Sequence, residues 1–328
     1  MHNILITGGA GYIGSHTIHY LISRGIRPEE IIVFDNLVYG HREFVPEKVK
    51  FYSGDLLNKK DILDIFLANE IRNVIHFAGY AYVGESMQLP GKYFENNVLG
   101  GLNLLEAMRE TSCQRIIFSS SCSTYGIPKS NPIKESEEQV PINPYGDSKF
   151  MFERILRWYG AIHGLRSICL RYFNAAGAAY GIGEQHDPET HLIPLILQTA
   201  NGEREAAHIY GTDYGTSDGT CIRDYIHVVD LAEAHYNAML SFDKLDVISD
   251  AFNLGTGNGV SVRQVVNIAK KITGINFTVI EEKRRSGDPA ILVAESAKAK
   301  AMLDWQPKFG IEDILLSAWN WHKRALSR

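Results

Sequence analysis

A tyrosine and a lysine four positions apart, Tyr145 and Lys149, are the residue types in this chain best suited to moving a proton. The preceding Asn143-Pro144 suits the start of a helix, and a helix would place both side chains on one face. An isolated pair at this spacing is more often an exposed surface pair, so it needs support from elsewhere. Ser121 ends a run of serines after an apolar segment and could relay a proton from a substrate hydroxyl. The three side chains predict general-base catalysis by Tyr145.

A glycine-rich turn near the N-terminus provides this support. It closes the apolar run 3–6 and opens a helical pattern near Tyr12. Its glycines satisfy G-x-G-x-x-G at Gly9, Gly11 and Gly14, and the looser G-x-x-G-x-x-G at Gly8, Gly11 and Gly14. Such a turn binds a pyrophosphate, because glycines allow close backbone approach and the helix N-terminus supplies N–H groups. The residues predicted to contact a dinucleotide here are Gly8, Gly11, Tyr12, Ile13 and Gly14.

The residue at the end of the next predicted strand indicates which dinucleotide is bound. It ends in Asp35, followed by Asn36. An acid at this place hydrogen-bonds the adenosine ribose and repels a 2′-phosphate, which predicts NAD rather than NADP. Arg42 lies near enough in sequence to keep NADP open as an alternative.

The charges around Tyr145 determine whether its pKa is low enough for general-base catalysis. A tyrosine pKa of about 10 must fall by about 3 units to serve near neutral pH, which is about 4 kcal/mol. One ammonium about 6 Å away, at an effective dielectric of about 20, supplies roughly 3 kcal/mol. The positive nicotinamide ring would supply the rest. We therefore expect Tyr145 to be a better base with NAD⁺ than with NADH.

The order of elements indicates an α/β fold with a doubly wound, parallel Rossmann sheet and a smaller C-terminal α/β substrate-binding lobe. Strands are predicted at 3–7, 31–35, 49–53, 73–77, 115–119 and 166–172, and helices at 12–24, 59–69, 91–111 and 145–163. Past residue 190 we predict helices at 191–201, 261–273 and 311–325 and strands at 207–210 and 277–281. We expect an NAD-binding domain over 1–175 and a substrate lobe over most of 176–328. A strand near 251–255 should rejoin the main sheet.

The composition is that of an ordinary globular protein, with 328 residues, 45% hydrophobic residues and a formal net charge of −5. This mild acidity gives no argument for a nucleic acid or membrane partner. The four cysteines are scattered without C-x-x-C, and the twelve histidines include no H-E-x-x-H, so no metal site is predicted. The absence of a signal-peptide pattern predicts a cytoplasmic protein.

Motifs along nearly the whole chain resemble the extended short-chain dehydrogenase/reductase family and, within it, the UDP-glucose 4-epimerases. The matching motifs are TGGAGYIGSH at 7–16, FDNL at 34–37, GDL at 54–56, HFAGYAYVGES at 76–86, NNVLG at 96–100, SSS with Tyr-Gly at 119–126, NPYGDSK at 143–149, LRYFNAAGA at 170–178, DGTCIRDYIHVVDLA at 218–232 and RRSGDPA at 284–290. The resemblance implies an isomerase of carbohydrate (galactose) metabolism. It would interconvert UDP-galactose and UDP-glucose by NAD-dependent oxidation at C4, rotation of the 4-keto sugar and hydride return to the opposite face.

The same resemblance assigns residues to each ligand. For NAD it implies Asp55 and Leu56 at the adenine, Phe77, Ala78 and Gly79 along the cofactor, and Asn97 and Phe173 at the nicotinamide half, beside Ser121, Tyr145 and Lys149. For the UDP-sugar it implies Asn174, His191 and Leu192 near the sugar or diphosphate, Arg223 and Arg285 on the diphosphate, Tyr210 near the uracil and Asp288 on the ribose, with Ser121 and Tyr145 at the sugar. It also implies a homodimer in which helices 91–111 and 145–163 form a four-helix bundle.

Some positions depart from related enzymes or narrow the chemistry. Family dehydratases and decarboxylases carry an acid just after the serine or threonine run, but the segment 121–126 has none. This favours epimerisation over water elimination. Ala81 stands where the best-known epimerases have a lysine, and His191 stands where some members have asparagine. Leu292 falls at a position that gives room to a 2-N-acetyl group in some members, and its bulk favours UDP-glucose and UDP-galactose.

Several functions remain open at this stage. Within the same class, a UDP-xylose/UDP-arabinose or UDP-N-acetylhexosamine 4-epimerase is the alternative. A dehydrogenase or reductase would differ by consuming free NAD(H). From another class, a non-catalytic NAD-sensing module would be expected to have lost Tyr145 or Lys149, and both are present.

Overall fold

The computed structural model of the chain describes residues 3–245, 248–285 and 288–325. Its strands are β1 Asn3–Thr7, β2 Ile31–Asp35, β3 Lys50–Ser53, β4 Ile71–His76, β5 Arg115–Ser121, β6 Arg166–Tyr172, β7 Asn174–Ala176, β8 Ala207–Tyr210, β9 Ile222–His227, β10 Ser249–Leu254, β11 Gly259–Ser261, β12 Val279–Glu282 and β13 Ile291–Leu292. Each strand predicted from the sequence has a counterpart here, with ends that differ by at most two residues.

Seven strands form one parallel sheet in the order β10-β6-β5-β4-β1-β2-β3. This is the doubly wound Rossmann sheet that the sequence predicts. The chain runs from β1 outward to β3 and then returns to β4 on the other side of β1. A crevice therefore lies at the carboxyl ends of β1 and β4, where such sheets bind their ligands.

The helices cover both faces of this sheet and build the smaller lobe. They are α1 Tyr12–Ser23, α2 Lys59–Ala68, α3 Val83–Ser86, α4 Pro90–Tyr93, α5 Gly100–Glu110, α6 Pro144–His163, α7 Leu192–Ala200, α8 Val228–Ser241, α9 Val262–Thr273, α10 Ala297–Leu303 and α11 Ile311–Ala325. A π-helical stretch at Phe94–Leu99 joins α4 to α5, so the predicted helix 91–111 is one continuous element. No helix among the described residues is both long and apolar enough to span a membrane.

Side chains alternate between two cores along the strands of the large sheet. Ile4 and Ile6 face a core completed by α1, α8 and α10, while Leu5 faces one completed by α2, α5 and α6. This alternation is the period of two expected of a strand covered on both sides. Both faces are apolar because both are buried.

The chain returns to the large sheet after residue 176. Helix α8 packs against α1, and β10 pairs with β6 at the sheet edge. Helix α8 has no counterpart among the helices predicted from the sequence. The smaller lobe contains β9 with its neighbours β7, β11 and β13, the pair β8-β12, and a separate core with α7, α9 and α11.

Candidate active site

A cavity of about 390 Å³ opens at the carboxyl ends of the central strands and extends to the smaller lobe. This volume is in the range of small-molecule sites. Its lining includes the following predicted residues: Gly8, Gly11, Tyr12, Ile13, Gly14, Asp35, Asn36, Asp55, Leu56, Phe77, Ala78, Gly79, Ser121, Tyr145, Lys149, Phe173, Asn174, His191 and Leu192. The fold thus brings the glycine turn, the acid after β2 and the Tyr-Lys-Ser group to one surface.

The five other predicted residues lie outside the cavity lining. Asn97 is buried behind the wall, where its Oδ1 accepts from the Tyr80 N–H at 2.8 Å and its Nδ2 donates to Ser148 Oγ at 3.0 Å. Asn97 therefore fixes the segment after β4 instead of lining the cavity itself. The remaining four are on the smaller lobe: Tyr210, Arg223, Arg285 and Asp288.

The glycine turn can accept a pyrophosphate. Gly8 has φ +71°, and a Cβ on it would lie 2.5 Å from the Ala78 nitrogen. A Cβ on Gly14 would lie 2.4 Å from the Gly8 oxygen. No side chain caps the start of α1, so its first N–H groups are left for an anion. Because a Cβ would not fit at either position, the turn requires glycine, and its shape fits a dinucleotide phosphate.

The end of β2 provides the ribose-binding chemistry expected for NAD. Asp35 is buried, and its carboxylate accepts from the Ala10 N–H at 2.9 Å and the Leu37 N–H at 2.8 Å. Burial raises the pKa of Asp35, while these N–H groups oppose the rise. Asn36 Nδ2 donates to Asp55 Oδ2 at 3.0 Å, which ties the segment after β2 to the one after β3.

Helix α6 presents Tyr145 and Lys149 to the cavity. Asn143 caps this helix, since its Oδ1 accepts from the Gly146 N–H at 2.8 Å. The Lys149 ammonium lies 6.0 Å from the centroid of the Tyr145 ring and donates to the Ser119 carbonyl at 2.9 Å. The four-residue spacing has therefore produced the shared helix face that the sequence predicts.

The protein's own groups do not lower the pKa of Tyr145. Burial raises this pKa to about 12, although a hydrogen bond with Ser121 opposes the rise. Burial also lowers the pKa of Lys149 to about 8. The expected lowering of the Tyr145 pKa by Lys149 is not seen in the protein alone, because burial of the phenol raises this pKa. Further positive charge in the cavity is needed, and an oxidised nicotinamide ring carries it.

The residues on the smaller lobe form two contacts of their own. Arg223 is buried and forms an ion pair with Asp288. The Arg285 guanidinium lies 3.9 Å from the centroid of the exposed Tyr210 ring. Arginine is the residue best suited to bidentate phosphate binding, so this group could accept a diphosphate once Arg223 exchanges its partner.

Sequence reasoning missed an aromatic wall of the cavity. The Tyr39 ring centroid lies 5.5 Å from that of Tyr80 and 5.3 Å from that of Tyr82, and all three residues line the cavity. Lys92 on α4 lies 4.5 Å from the Tyr80 ring centroid, so a cation approaches the wall that contains Ala81. The alternating Tyr80-Ala81-Tyr82 after β4 is the signal that could have identified this wall.

Leu292 lies next to the cavity wall. It packs against a buried cluster that includes Cys122 and Phe173, and both of these residues line the cavity. A bulky side chain at this position therefore restricts the space behind the wall near Ser121.

With this geometry the chain falls into the class of α/β proteins that bind a dinucleotide across the switch point of a parallel sheet. Comparison with known proteins then assigns the family. The NAD dependent epimerase/dehydratase family matches residues 4–255, and the chain belongs to this family.

Individual relatives resemble the chain over almost its full length. A UDP-glucose 4-epimerase of Streptococcus mutans is 50% identical over 323 residues, which are 97% of this chain and 96% of the relative. The crystal structure of the UDP-glucose 4-epimerase from Brucella ovis in complex with NAD has a TM-score of 0.93 and 44% identity, and the match covers 98% of each chain. The enzyme from Bifidobacterium longum, in complex with NAD⁺ and UDP, has a TM-score of 0.92 and 38% identity, again over 98% of each chain.

Proposed function

We propose that this chain is an NAD-dependent isomerase that interconverts UDP-galactose and UDP-glucose at the sugar C4. The observation that carries the proposal is that the likeness to UDP-glucose 4-epimerases runs through both lobes, so it includes the cavity as well as the sheet. When bound, NAD supplies the hydride acceptor and donor for C4. The remaining steps are the work of the chain's own residues.

Tyr145 is the proposed general base. Its phenolic oxygen takes the proton of the C4 hydroxyl as C4 is oxidised and gives it back when C4 is reduced. Ser121 relays this proton, since it lies in the cavity and hydrogen-bonds the Tyr145 hydroxyl. Lys149 adds positive charge near the phenol and is itself held by the Ser119 carbonyl.

The residues at and just after the end of β5 favour return of the hydride to the 4-keto sugar over elimination of water. Ser121, Cys122 and Ser123 line this part of the cavity and none of them is an acid that could promote elimination of water. The sugar must instead rotate so that the opposite face is reduced. This requires firm binding of the uridine diphosphate and loose binding of the hexose.

The two ligands are assigned to different residues. We assign the pyrophosphate of NAD to the turn at 8–14 and its adenosine to Asp35, Asn36, Asp55 and Leu56, with Phe77, Ala78, Gly79 and Phe173 along the rest, and Asn97 in support from behind. We assign the UDP-sugar to Asn174, His191, Leu192, Tyr210, Arg223, Arg285 and Asp288. The Arg223–Asp288 ion pair supports this assignment only if it opens, so that Arg223 can face the diphosphate. The position of Leu292 favours hexoses without a 2-N-acetyl group.

The experiment that tests the proposal follows UDP-galactose by proton NMR with purified protein and no added cofactor. We expect conversion to a mixture with UDP-glucose and no net change in free NADH absorbance. Parallel reactions with UDP-xylose and UDP-N-acetylglucosamine measure the sugar preference, and UDP-glucose should be the faster substrate. Conversion of UDP-xylose but not of UDP-galactose would show that the substrate is UDP-xylose and not the proposed hexose. Net NADH formation, or no conversion of any sugar even with added NAD, would contradict the epimerase proposal.

The assembly we propose is a C2 homodimer through a four-helix bundle of α5 and α6 with their partners. Helix α6 supports it, because Trp158 and Ile162 are four residues apart and 65% and 67% exposed. Light scattering should give a dimer mass for the wild type and a monomer mass for Trp158→Glu. Leu67→Glu is the matched control, since Leu67 is 70% exposed on α2, and it should remain dimeric. A monomeric wild type would contradict this assembly.

We place the protein in the cytoplasm. All four cysteines are free and buried, which suits a reducing compartment. Detection of the native protein in a fractionated cell checks this placement.

A further inference from the structure

Two histidines and two glutamates meet in the wall of the cavity, just before and at the start of α7. They are Glu184, His186, Glu189 and His191, and one ligand atom from each lies within 4.8 Å of all the others. Their spacing, E-x-H-x-x-E-x-H, lies in a loop and matches neither the H-E-x-x-H helix motif nor a cysteine motif. Nothing in the proposed epimerisation uses more than His191 of this group.

The distances within the cluster are those between ligands of one metal ion. His186 Nδ1 lies 3.4 Å from Glu184 Oε1 and 3.6 Å from Glu189 Oε2. A tetrahedral Zn²⁺ with bonds of about 2.0–2.1 Å separates its ligand atoms by about 3.3–3.4 Å. His191 Nδ1 is closer, 2.9 Å from Glu184 Oε1 and 3.0 Å from Glu189 Oε1, so an ion would spread this corner by a few tenths of an ångström.

His186 provides a second and independent observation. Its Nδ1 is buried and has no well-formed hydrogen bond, although two carboxylates face it. Buried polar atoms almost always have a partner. Both carboxylates are themselves largely buried, with side-chain exposures of 7% for Glu184 and 6% for Glu189. Two buried carboxylates and an imidazole nitrogen held only by long contacts to them are the donors that a divalent cation would satisfy together.

We propose that Glu184, His186, Glu189 and His191 bind a divalent transition-metal ion, best fitted by Zn²⁺, in the cavity wall. Two imidazole nitrogens favour Zn²⁺ over Ca²⁺ or Mg²⁺, which prefer oxygen ligands. Four protein ligands leave no open position on the ion for substrate, so the ion is structural, and His191 would bind it through Nδ1 and keep Nε2 for the UDP-sugar. It ties the loop that begins at Glu184 to the first residues of α7.

The proposed metal site lies against two tyrosines of the cavity wall, so an ion there would stabilise this wall. The His186 ring centroid lies 5.9 Å from that of Tyr82 and 6.4 Å from that of Tyr12, and these tyrosines line the cavity. A metal ion would therefore fix the wall that separates the dinucleotide turn from α7. The competing arrangement is a metal-free one in which protonated histidines pair with the glutamates. It is supported by both histidines, because the two carboxylates outweigh burial and raise the pKa of His186 to about 9 and that of His191 to about 10.

Metal uptake by the full-length protein distinguishes the two arrangements. After removal of metals with a chelator, equilibrium dialysis against Zn²⁺ with elemental analysis should give one Zn²⁺ per chain. Cobalt substitution should give the intense visible absorption of a tetrahedral site without a sulfur-to-cobalt band. Failure of the wild type to take up Zn²⁺ stoichiometrically would overturn the proposal, and so would a sulfur-to-cobalt band, which would indicate the cysteines as ligands.

Two variants and a matched control locate the ion. His186→Ala and Glu189→Gln should each weaken Zn²⁺ binding at least tenfold, since each loses one ligand. His208→Ala should bind as the wild type does, because His208 is also a histidine beside a glutamate, 3.4 Å from Glu282, but lies outside the cluster. Circular dichroism confirms folding, and Glu189→Gln decides the question if His186→Ala does not fold. Unchanged affinity in a folded variant would overturn the proposal. None of these measurements depends on turnover, so their failure would leave the epimerase proposal intact.

Discussion

The two halves of the candidate active site are held in different ways. On the dinucleotide side, polar side chains are fixed by the backbone: Asp35 accepts from two N–H groups, and Lys149 donates to the Ser119 carbonyl. On the UDP-sugar side, Arg223 pairs with Asp288 and Arg285 stacks on Tyr210, so side chains hold one another. Backbone partners are fixed by the fold, whereas side-chain partners can be exchanged for a ligand.

This difference matches the demands of the proposed reaction. A cofactor that is regenerated in each cycle can remain in a preorganised site, whereas a nucleotide sugar must enter and leave. The halves should therefore respond differently to substitution. Changes on the dinucleotide side should alter the rate or cofactor binding, and changes on the UDP-sugar side should alter KM.

The largest effect should come from the proton acceptor. Tyr145→Phe removes the phenolic oxygen, and we expect kcat to fall by about 10³-fold, within the usual range for general-base catalysis. Bound NAD should remain, because the turn at 8–14 is unchanged. Tyr159→Phe is the matched control on the same helix, where the hydroxyl bonds Glu106 outside the cavity. A near-native rate for Tyr145→Phe would show that another group is the base.

The next effect should be on substrate binding. Arg285→Ala should raise KM for UDP-galactose by about 10- to 100-fold, the loss expected for one charge-assisted phosphate contact. The kcat should change by less than about threefold, because this residue is remote from the chemical step. Arg284→Ala is the control, since Arg284 pairs with Asp213 and stacks on Tyr214. If kcat falls while KM stays constant, the two halves do not divide the work as we propose.

A smaller effect should appear in cofactor choice. Asp35→Asn keeps one of the two side-chain oxygens that accept from the backbone N–H groups, and it removes the charge that repels a 2′-phosphate. We expect the preference for NAD over NADP to fall by about tenfold, or roughly 1.4 kcal/mol, measured as the ratio of dissociation constants. Asp64→Asn, which changes an exposed partner of Lys60, should leave the ratio unchanged. An unchanged ratio in Asp35→Asn would indicate that another residue selects the cofactor.

A separate effect, on stability and not on the reaction, should be the acid sensitivity of the large sheet. Burial, together with the charge of Lys149, lowers the pKa of His76 to about 3, and burial lowers that of His235 to about 4. At these two positions the unfolded chain therefore binds more protons below pH 6.5, so the contribution of the two histidines to stability is complete above pH 6.5 and declines toward pH 3. Well inside this window, each of the two histidines should lower the free energy of unfolding by about 1 kcal/mol for each pH unit of acidification. Thermal melts at pH 7 and pH 5 measure the decline.

A variant assigns part of this decline to a single residue. His76→Asn should make the pH dependence shallower, and the exposed His163→Gln should leave it as in the wild type. A dependence that is the same in all three proteins would mean that His76 takes no part in it.

Local patterns predicted the large sheet and the reactive helix. Apolar runs such as Ile31–Phe34 and the Asn143-Pro144 start of α6 depend on neighbours in sequence, so the sequence sufficed for them. It missed β9 and α8 because their interiors carry polar residues. Asp224, Asp230 and His235 are all buried, and each has a hydrogen-bond partner that only the fold brings close, which for His235 is the Tyr172 hydroxyl. A polar residue in a buried position hides the apolar period on which prediction depends.

The same rule decides which parts of the candidate active site could be predicted from the sequence. The glycine turn and the Tyr145–Lys149 pair are local motifs, so their residue types and spacing were sufficient. The Arg223–Asp288 ion pair joins residues distant in sequence, and the aromatic wall forms only when Tyr39 reaches the segment after β4. The Tyr145 pKa was misjudged for a related reason, because the sequence does not reveal how completely a cavity excludes water.

Strand β10 is synthesised long after its neighbour β6, and this has a consequence for folding on the ribosome. Strand β6 ends at Tyr172, but the strand that covers its edge begins only at Ser249. At about 5–20 residues per second, translation leaves this edge open for roughly 4–15 s after β6 has been made. An open parallel edge can pair with other chains. The nascent polypeptide therefore passes through a period in which a chaperone has an exposed strand to protect, and a message truncated before residue 249 yields a product that keeps this edge.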